Sequence, residues 1–286
     1  MTAAAAGAAA TASLAAPSSA EAETEAAPRR VRRGPLWWAS RLGGWAAFLG
    51  LLALSVVVVA PDPARLAAGL PRLGGWLAGS WPPDFSGAGD LARRAAETVG
   101  IATLGTLAAG VLAVPFAWLG ARPVSPGALA RQPARAVLDG LRGVDGFVFA
   151  LLFVAAVGLG PFAGMLGVAL HSAGSLGKLW SEALEAAPRE PAEAVLSAGG
   201  TRLQVARWAL LPWAMPQAAG ALLYVWEFNI RASTVLGLVG AGGLGQELKN
   251  AVDLLDFNRV VAILAIIVGL TLAADRIGSA LRRSLS

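Results

Sequence analysis

Long apolar runs separated by polar and charged segments are the dominant pattern of this 286-residue chain. The runs cover approximately residues 43–60, 95–119, 144–160, 161–179, 214–239 and 259–280. A helix needs roughly 20 apolar residues to cross the hydrocarbon core of a bilayer, so each run is close to the length of a membrane span. The third and fourth runs are separated only by the turn Gly158-Leu159-Gly160-Pro161, which predicts an antiparallel pair. The pattern therefore predicts an all-α integral membrane protein with six transmembrane helices.

The segments before the second run are of different kinds. Residues 1–28 are rich in Ala, Ser, Thr and Glu without an apolar period, which predicts a disordered tail. Arginines at 29–33 then flank the first run, which is too long for the apolar region of a signal peptide. Leucines at helical spacing in residues 61–92 favour either an interfacial helix on the outer leaflet or a packed outer loop.

Three domains follow from this division of the chain. We expect a cytoplasmic Ala-rich tail with its basic flank over residues 1–35. The first transmembrane helix and the outer segment occupy residues 36–90. A core of five transmembrane helices, which includes a polar loop at 181–213, occupies residues 91–286.

Basic residues predict the orientation of the chain, because short cytoplasmic loops carry an excess of Lys and Arg. With both termini inside, the arginines of residues 29–41, 122–142 and 276–283 lie in the cytoplasm. The outer side then keeps Arg65, Arg72, Arg93, Arg94, Lys249 and Arg259. This arrangement requires an even number of spans, and it places the loop at 181–213 in the cytoplasm.

Composition excludes several classes of site. Charged residues make up 14% of the chain, against about 25% in soluble domains. The chain has no cysteine, which excludes disulfides, and its one histidine, His171, excludes a His-rich metal site. We expect His171 to be a satisfied interior side chain. The net charge of +5 indicates a membrane surface and no nucleic acid, because the arginines lie at the edges of apolar runs.

The polar segment at 181–213 predicts two helices joined by a glycine hinge. Pro191 suits the first turn of a short helix that carries Glu193 and Ala194. Gly199-Gly200 ends this helix, because glycine enters the left-handed conformation at little cost. Thr201 then caps a second helix that runs up to Pro212.

The spacing of Glu193-Ala194, Gly199 and Leu211-Pro212 resembles the EAA loop of ABC importer permeases. Other stretches resemble the phosphonate-type branch of this family, namely Glu97-Thr98, Leu104-Gly105-Thr106 and residues 151–164, 171–179, 227–237 and 240–245. Two positions depart from the family pattern. Asp145-Gly146 stands where such permeases usually have Pro-Glu, and Val195 replaces the second alanine of the EAA pattern.

The resemblance implies a type I importer fold with a cytoplasmic coupling helix, in a multi-pass protein of the bacterial inner membrane. It implies a second copy of the chain, ABC ATPase subunits inside, and a periplasmic or extracellular binding protein. ATP and Mg²⁺ would be bound by the partner ATPase, so this chain would carry no cofactor and would not be an enzyme. The residues that would dock onto the ATPase are Glu193, Ala194, Gly199, Leu203, Leu211 and Pro212. The cargo implied is a phosphonate-like small anion.

Ionisable residues within the fifth run require partners or a water-filled path, because charges are costly in hydrocarbon. Glu227 and Arg231 are four residues apart on one helical face, so we expect them to pair, with Asn229 pointing elsewhere. Two roles are open for these three residues. They could line the translocation path, where Arg231 would favour an anion, or form a structural ion pair that fixes helix packing.

The glycine-rich segment after the fifth run formally matches a dinucleotide-binding fingerprint, with Gly240, Gly242 and Gly245 at its spacing. No βαβ unit surrounds it, so this match is spurious. We expect these glycines, together with Gly243, to let the backbone fold back as an outer gate loop near the mouth of the pore.

Two alternatives remain at the level of the sequence. The same fold could import phosphate, phosphite, methionine or another small solute, because specificity lies largely with the binding protein. An integral membrane enzyme acting on a lipid or phosphate ester would need clustered carboxylates or histidines. The intramembrane polar residues of this chain are instead scattered over two spans.

Overall fold

The computed structural model describes residues 35–285, and the regular elements of that range are helical. The chain divides into two compact units, Met1–Ala68 and Gly69–Ser286. The first contains helix α1 (Pro35–Val59) and the start of α2 (Pro63–Gly79), which crosses the boundary. The second contains α3 (Ala88–Gly120), α4 (Ala128–Gly143), α5 (Gly146–Val157), α6 (Pro161–Glu185), α7 (Arg189–Ser197), α8 (Arg202–Val205), a π-helix (Ala206–Leu210), α9 (Leu211–Gly237), α10 (Gly243–Asp253) and α11 (Phe257–Leu285). The predicted tail at 1–28 and the arginines at 29–33 lie outside the described residues.

Each of the six predicted runs falls on a helix, namely α1, α3, α5, α6, α9 and α11, so the all-α prediction is confirmed. Within the described residues, length and composition alone identify three candidate spans, Arg41–Val59, Ala88–Gly120 and Phe257–Ser284. Helices α4 and α5 pass the same test together, but they are bent by 86° at their junction. Helix α5 alone has 12 residues, which is about 18 Å and short of the hydrocarbon core. The count of six spans stays a prediction.

Helices α3 and α6 form the centre of the second unit and approach closely through small residues. Ala102, Ala109 and Ala113 of α3 are fully buried. A Cβ placed on Gly105 of α3 would lie 2.6 Å from Val168 Cγ1 of α6, so only glycine fits there. Small residues of this kind allow helix contact in a bilayer, where no hydrophobic effect drives helices together.

Helices α5 and α6 are an antiparallel pair, as predicted. Their contacts run in opposite directions, since Gly146 lies against His171 and Ala150 against Gly167. The turn between them contains Gly158 at φ 90°, in the region that favours glycine.

Helix α4 packs along the second half of α6 and is not predicted by the apolar runs. It is amphipathic, with Ala134 and Leu138 as its buried residues. A Cβ on Gly174 of α6 would lie 2.6 Å from the backbone nitrogen of Arg142. Helix α4 therefore lies between two of the predicted spans as an additional element that supports α6.

The outer segment 61–92 combines the two predicted forms. Helix α2 carries leucines at the predicted spacing, and Leu66 and Leu77 are exposed. After it, residues 82–86 pack against the start of α11, where Asn258 Nδ2 donates to the carbonyl of Pro82 at 2.8 Å. Hydrogen bonds from the backbone and hydroxyl of Ser86 hold the pKa of Asp84 below its ordinary value. The segment is thus a helix followed by a packed loop, and its side of the membrane stays a prediction.

Candidate functional site

The segment at 181–213 contains the predicted short helix, glycine hinge and capped second helix. Helix α7 ends at Ser197, and Gly199 follows at φ 82°. Thr201 and Gln204 form a reciprocal capping box, in which the Gln204 amide N–H donates to Thr201 Oγ1 and the Thr201 N–H donates to Gln204 Oε1 at 2.7 Å. The local structure is therefore confirmed, and the cap fixes the direction in which the second helix leaves the hinge.

The second helix does not end at Pro212, which corrects the prediction. Helix α8 continues through the π-helix into α9 without a break. In a regular α-helix the ring of Pro212 would clash with the carbonyl of Trp208 and would remove a hydrogen bond. The wider π turn lies at this place, and there the N–H of Leu211 donates to the carbonyl of Ala206. The hinge at Gly199 is thus connected by continuous helix to the residues around Asn229.

Five of the six predicted docking residues lie on the surface. The exposed residues are Glu193, Ala194, Gly199, Leu203 and Pro212, and Leu211 is half-buried. The opposite side of α7 is apolar, since Ala192 and Val195 pack against a cluster that includes Leu184, Val205 and Leu210. Helix α7 therefore has one face seated on the core and one free face that carries Glu193.

A carboxylate that the sequence analysis missed ties together the helix ends next to α7. Glu185 Oε1 accepts hydrogen bonds from Arg135 Nη2 at 2.6 Å and from the backbone N–H of Arg122 at 2.8 Å. Arg135 Nε also donates to the carbonyl of Gly120 at 2.9 Å. These partners are 50 and 63 residues away in sequence from Glu185. The one available signal was an acidic residue just before the break at Pro188.

The expected pair between Glu227 and Arg231 does not form, so this prediction was wrong. Glu227 Oε1 lies 2.8 Å from Arg282 Nη1, and Arg231 Nη1 lies 3.1 Å from Asp275 Oδ1. Both partners belong to α11, which packs along α9 and places opposite charges two turns apart. Gly278 lies between them, and a Cβ there would collide with the Glu227 carboxylate. Two ion pairs therefore link α9 to α11.

Asn229 points away from these pairs, as predicted, and is 1% exposed. Its Oδ1 accepts from Ser172 Oγ at 3.1 Å, and its Nδ2 donates to Thr106 Oγ1 at 2.8 Å. A buried amide is costly unless it is hydrogen-bonded, and here both of its ends have partners. Asn229 thus joins α3, α6 and α9.

The glycine-rich segment folds back across three helix ends. Gly240, Gly242 and Gly243 have φ values of 86°, 81° and 71°. The carbonyl of Gly240 accepts from the N–H of Gly160 at 2.9 Å, and Thr98 Oγ1 accepts from the N–H of Leu244 at 2.9 Å. A Cβ on Gly245 would collide with the Thr234 carbonyl oxygen. The fold-back is confirmed, and its place at the mouth of a pore stays a prediction.

His171 is satisfied at one nitrogen only. Its Nδ1 lies 2.9 Å from the carbonyl oxygen of Val144. Its Nε2 has no hydrogen-bond partner among the described residues. The prediction of a satisfied histidine therefore holds for half of the ring.

Comparison with known proteins places this geometry in a family. The model described as "Binding-protein-dependent transport system inner membrane component" matches residues 113–286. The putative phosphite transport system permease protein HtxC of Stutzerimonas stutzeri is 42% identical over 234 residues, which is 82% of this chain and 83% of that protein. The phosphite transport system permease protein PtxC of the same organism is 38% identical over 248 residues, which is 86% of this chain and 90% of that protein.

Another relative is the phosphate-import permease protein PhnE of Mycolicibacterium smegmatis. It is 40% identical over 205 residues, which is 71% of this chain and 38% of that protein. These relatives are transport permeases, which supports the expected permease over a membrane enzyme.

Solved structures show the same fold. The MetNI methionine ABC transporter in inward-facing conformations matches with a TM-score of 0.60 at 22% identity, over 68% of this chain and 96% of that chain. An amino acid ABC transporter crystallised with histidines matches with a TM-score of 0.59 at 18% identity, over 70% of this chain and 98% of that chain. The chain therefore belongs to the binding-protein-dependent transport system inner membrane components, the multi-pass permease subunits of ABC importers.

Proposed function

We propose that this chain is the permease subunit that carries a phosphonate-like oxoanion, such as phosphite or a phosphonate, into the cell. The evidence for this substrate class is the similarity to two phosphite permeases, at 42% and 38% identity. Each alignment covers more than four fifths of this chain and of the relative. The family implies an ATPase inside and a binding protein outside. ATP and Mg²⁺ then belong to the ATPase, and this chain supplies the path and the coupling surface.

Coupling follows from the connection between α7 and α9. The ATPase subunits hold the free face of α7 around Glu193 and Ala194, with Leu203 and Pro212 beside it. When the ATPase pair closes, α7 presses on the apolar cluster through Val195. The displacement passes the hinge at Gly199 and moves the continuous helix from α8 to α9. Such rigid-body movement of packed helices is a common way to alternate access.

The movement reaches α11 through the two ion pairs. Glu227 with Arg282, and Arg231 with Asp275, hold α9 and α11 together, so both helices move as one body. In the assembly with a second copy of the chain, α9 contributes to the lining of the path, and the buried Asn229 holds it against α3 and α6. The loop from Gly240 to Gly245 forms the outer gate, and the core of residues 91–286 is the transport domain.

The substrate class is tested by uptake in cells that lack their own phosphite and phosphonate importers. The permease is expressed with its cognate ATPase and binding protein, and labelled phosphite, methylphosphonate, phosphate and methionine are supplied separately. We expect saturable uptake of phosphite or methylphosphonate. Uptake of methionine with neither of these anions would contradict the proposal.

The orientation is tested with single cysteines, which are clean probes because the chain has none. Ala88 and Ser197 are both exposed, and Ser80 is avoided because it is buried. We expect a membrane-impermeant thiol reagent to label Ala88→Cys in intact spheroplasts, and Ser197→Cys only after permeabilisation. The reverse labelling would place both termini outside and would remove the coupling argument.

A further inference from the structure

A cleft of about 240 Å³ opens between the end of α4 and the middle of helices α6 and α9. Its polar lining consists of Arg142, His171, Ser172, Ser175 and Tyr224. These residues include the only histidine and the only tyrosine of the chain. Transporter substrate sites are formed between the helices of such bundles.

Several of these polar groups have no hydrogen-bond partner among the described residues. His171 Nδ1 is held by the carbonyl of Val144 at 2.9 Å, which fixes the ring and leaves Nε2 unpaired among the described residues. The hydroxyls of Ser175 and Tyr224 also have no hydrogen-bond partner in the described part of the chain. His171 and Ser175 are half-buried, and Arg142 and Tyr224 are exposed, so these unpaired groups around one cleft are accessible to a ligand.

The charge of the cleft favours an anion. Arg142 lines it, and no carboxylate does. The nearest counter-charge of Arg142 is Asp139, whose Oδ1 lies 3.9 Å from Arg142 Nη2 and 3.6 Å from Lys178 Nζ. Lys178 in turn lies 3.8 Å from Glu182. All of these distances exceed a good hydrogen bond, so the Arg142 guanidinium keeps donors for a further acceptor.

One wall of the cleft is rigid. Ser172 is 1% exposed and is bonded to Asn229, which is bonded to Thr106. This network joins α3, α6 and α9 behind the cleft, so the helices that carry His171, Ser175 and Tyr224 are held together there. Pre-positioned donors lose little freedom when a ligand binds.

We infer that this cleft is a subsite in the permease itself for a tetrahedral oxoanion, a phosphonate or a phosphite, during its passage. Arg142 pairs with the anionic oxygens, as guanidinium groups do with phosphate-type oxygens. Ser175 and Tyr224 donate to the remaining oxygens. His171 Nε2, which has no hydrogen-bond partner among the described residues, contacts a further oxygen of the anion. The inference rests on the proposed function, and it adds that this chain, besides the binding protein, recognises the anion.

The test measures equilibrium binding of labelled phosphite to the purified permease–ATPase complex without the binding protein. It also measures the uptake rate of reconstituted complex at saturating binding protein. We expect Arg142→Gln to weaken phosphite binding by about tenfold or more, and Ser175→Ala or Tyr224→Phe to weaken it by several-fold. Uptake should fall in the same order, with complex yield unchanged. Arg131→Gln on the same helix, outside the cleft, is the matched control and should bind phosphite like the wild type.

The outcomes separate the inference from the proposed function. If the wild-type system imports no phosphite, phosphonate or phosphate, the proposed function fails. If it imports phosphite while Tyr224→Phe and Arg142→Gln bind and transport like the wild type, the subsite is wrong. Transport by a wild-type complex that binds no phosphite on its own would also overturn it. Loss of complex yield in both Ser175→Ala and Tyr224→Phe would show a subunit contact instead of a subsite.

Discussion

Replacing Gly199 with valine is expected to lower uptake more than tenfold while the protein is still inserted at normal levels. Gly199 has φ 82°, where a β-branched residue is a strong outlier. The strain is of the order of 1–3 kcal/mol, which is enough to redirect the turn between α7 and the Thr201 cap. A Cβ at this position would have no atom within 4 Å, so the effect comes from the backbone and not from a steric clash. The measurement is phosphite uptake divided by the amount of permease in the membrane.

The control for this experiment is Gly199→Asn. Asparagine tolerates the left-handed conformation better than other residues with a side chain, so it should keep most of the uptake. Co-purification of the ATPase with each variant shows whether docking or only transmission is lost. Normal uptake by Gly199→Val at wild-type membrane levels would show that the hinge does not take part in coupling.

Removing Arg282 is expected to have the largest effect on stability of any single charge in the described residues. The Glu227 side chain is 8% exposed and Arg282 Nη1 is its ion partner at 2.8 Å, so Arg282→Gln leaves a buried carboxylate unpaired. Breaking a buried pair in this way costs about 3–5 kcal/mol. The measurement is the thermal unfolding midpoint and the yield of purified complex in detergent.

The double variant Glu227→Gln with Arg282→Gln separates pairing from other roles of the two residues. It should recover most of the stability, because two neutral amides replace the unpaired charge. Arg276→Gln is the matched control, since Arg276 lies exposed on the same helix with no ion pair among the described residues. A double variant as unstable as Arg282→Gln alone would show that the pair does not account for the cost.

Long apolar runs along the sequence predicted the longest helices of the structure. Helices α3 and α11 are candidate spans by length and composition alone, and the apolar runs also fall on α6 and α9. Helix α4 was not predicted because only one stripe of it, with Ala134 and Leu138, contacts the core. The other residues of α4 are mostly polar or small, so from the sequence the segment resembles a polar loop.

The hinge could be predicted from the residues that form it, whereas the partners of the charged side chains are determined by tertiary packing. Gly199 and Thr201 act through their own backbone and neighbours, so their roles could be derived from the sequence. The partners of Glu227 and Glu185 come from other helices, which no spacing along one helix reveals. The π-helix before Leu211 was also missed, although Pro212 itself requires a departure from regular α geometry.

The central claim is that this chain couples ATP hydrolysis to the import of a phosphonate-like anion. It is tested most directly with purified permease and ATPase in proteoliposomes, with ATP on the side of α7 and the loaded binding protein on the other. We predict that labelled phosphite or methylphosphonate accumulates inside the compartment that contains α7, and only with ATP, the ATPase and the binding protein together. Accumulation at the same rate without ATP, or none with all components present, would contradict this account.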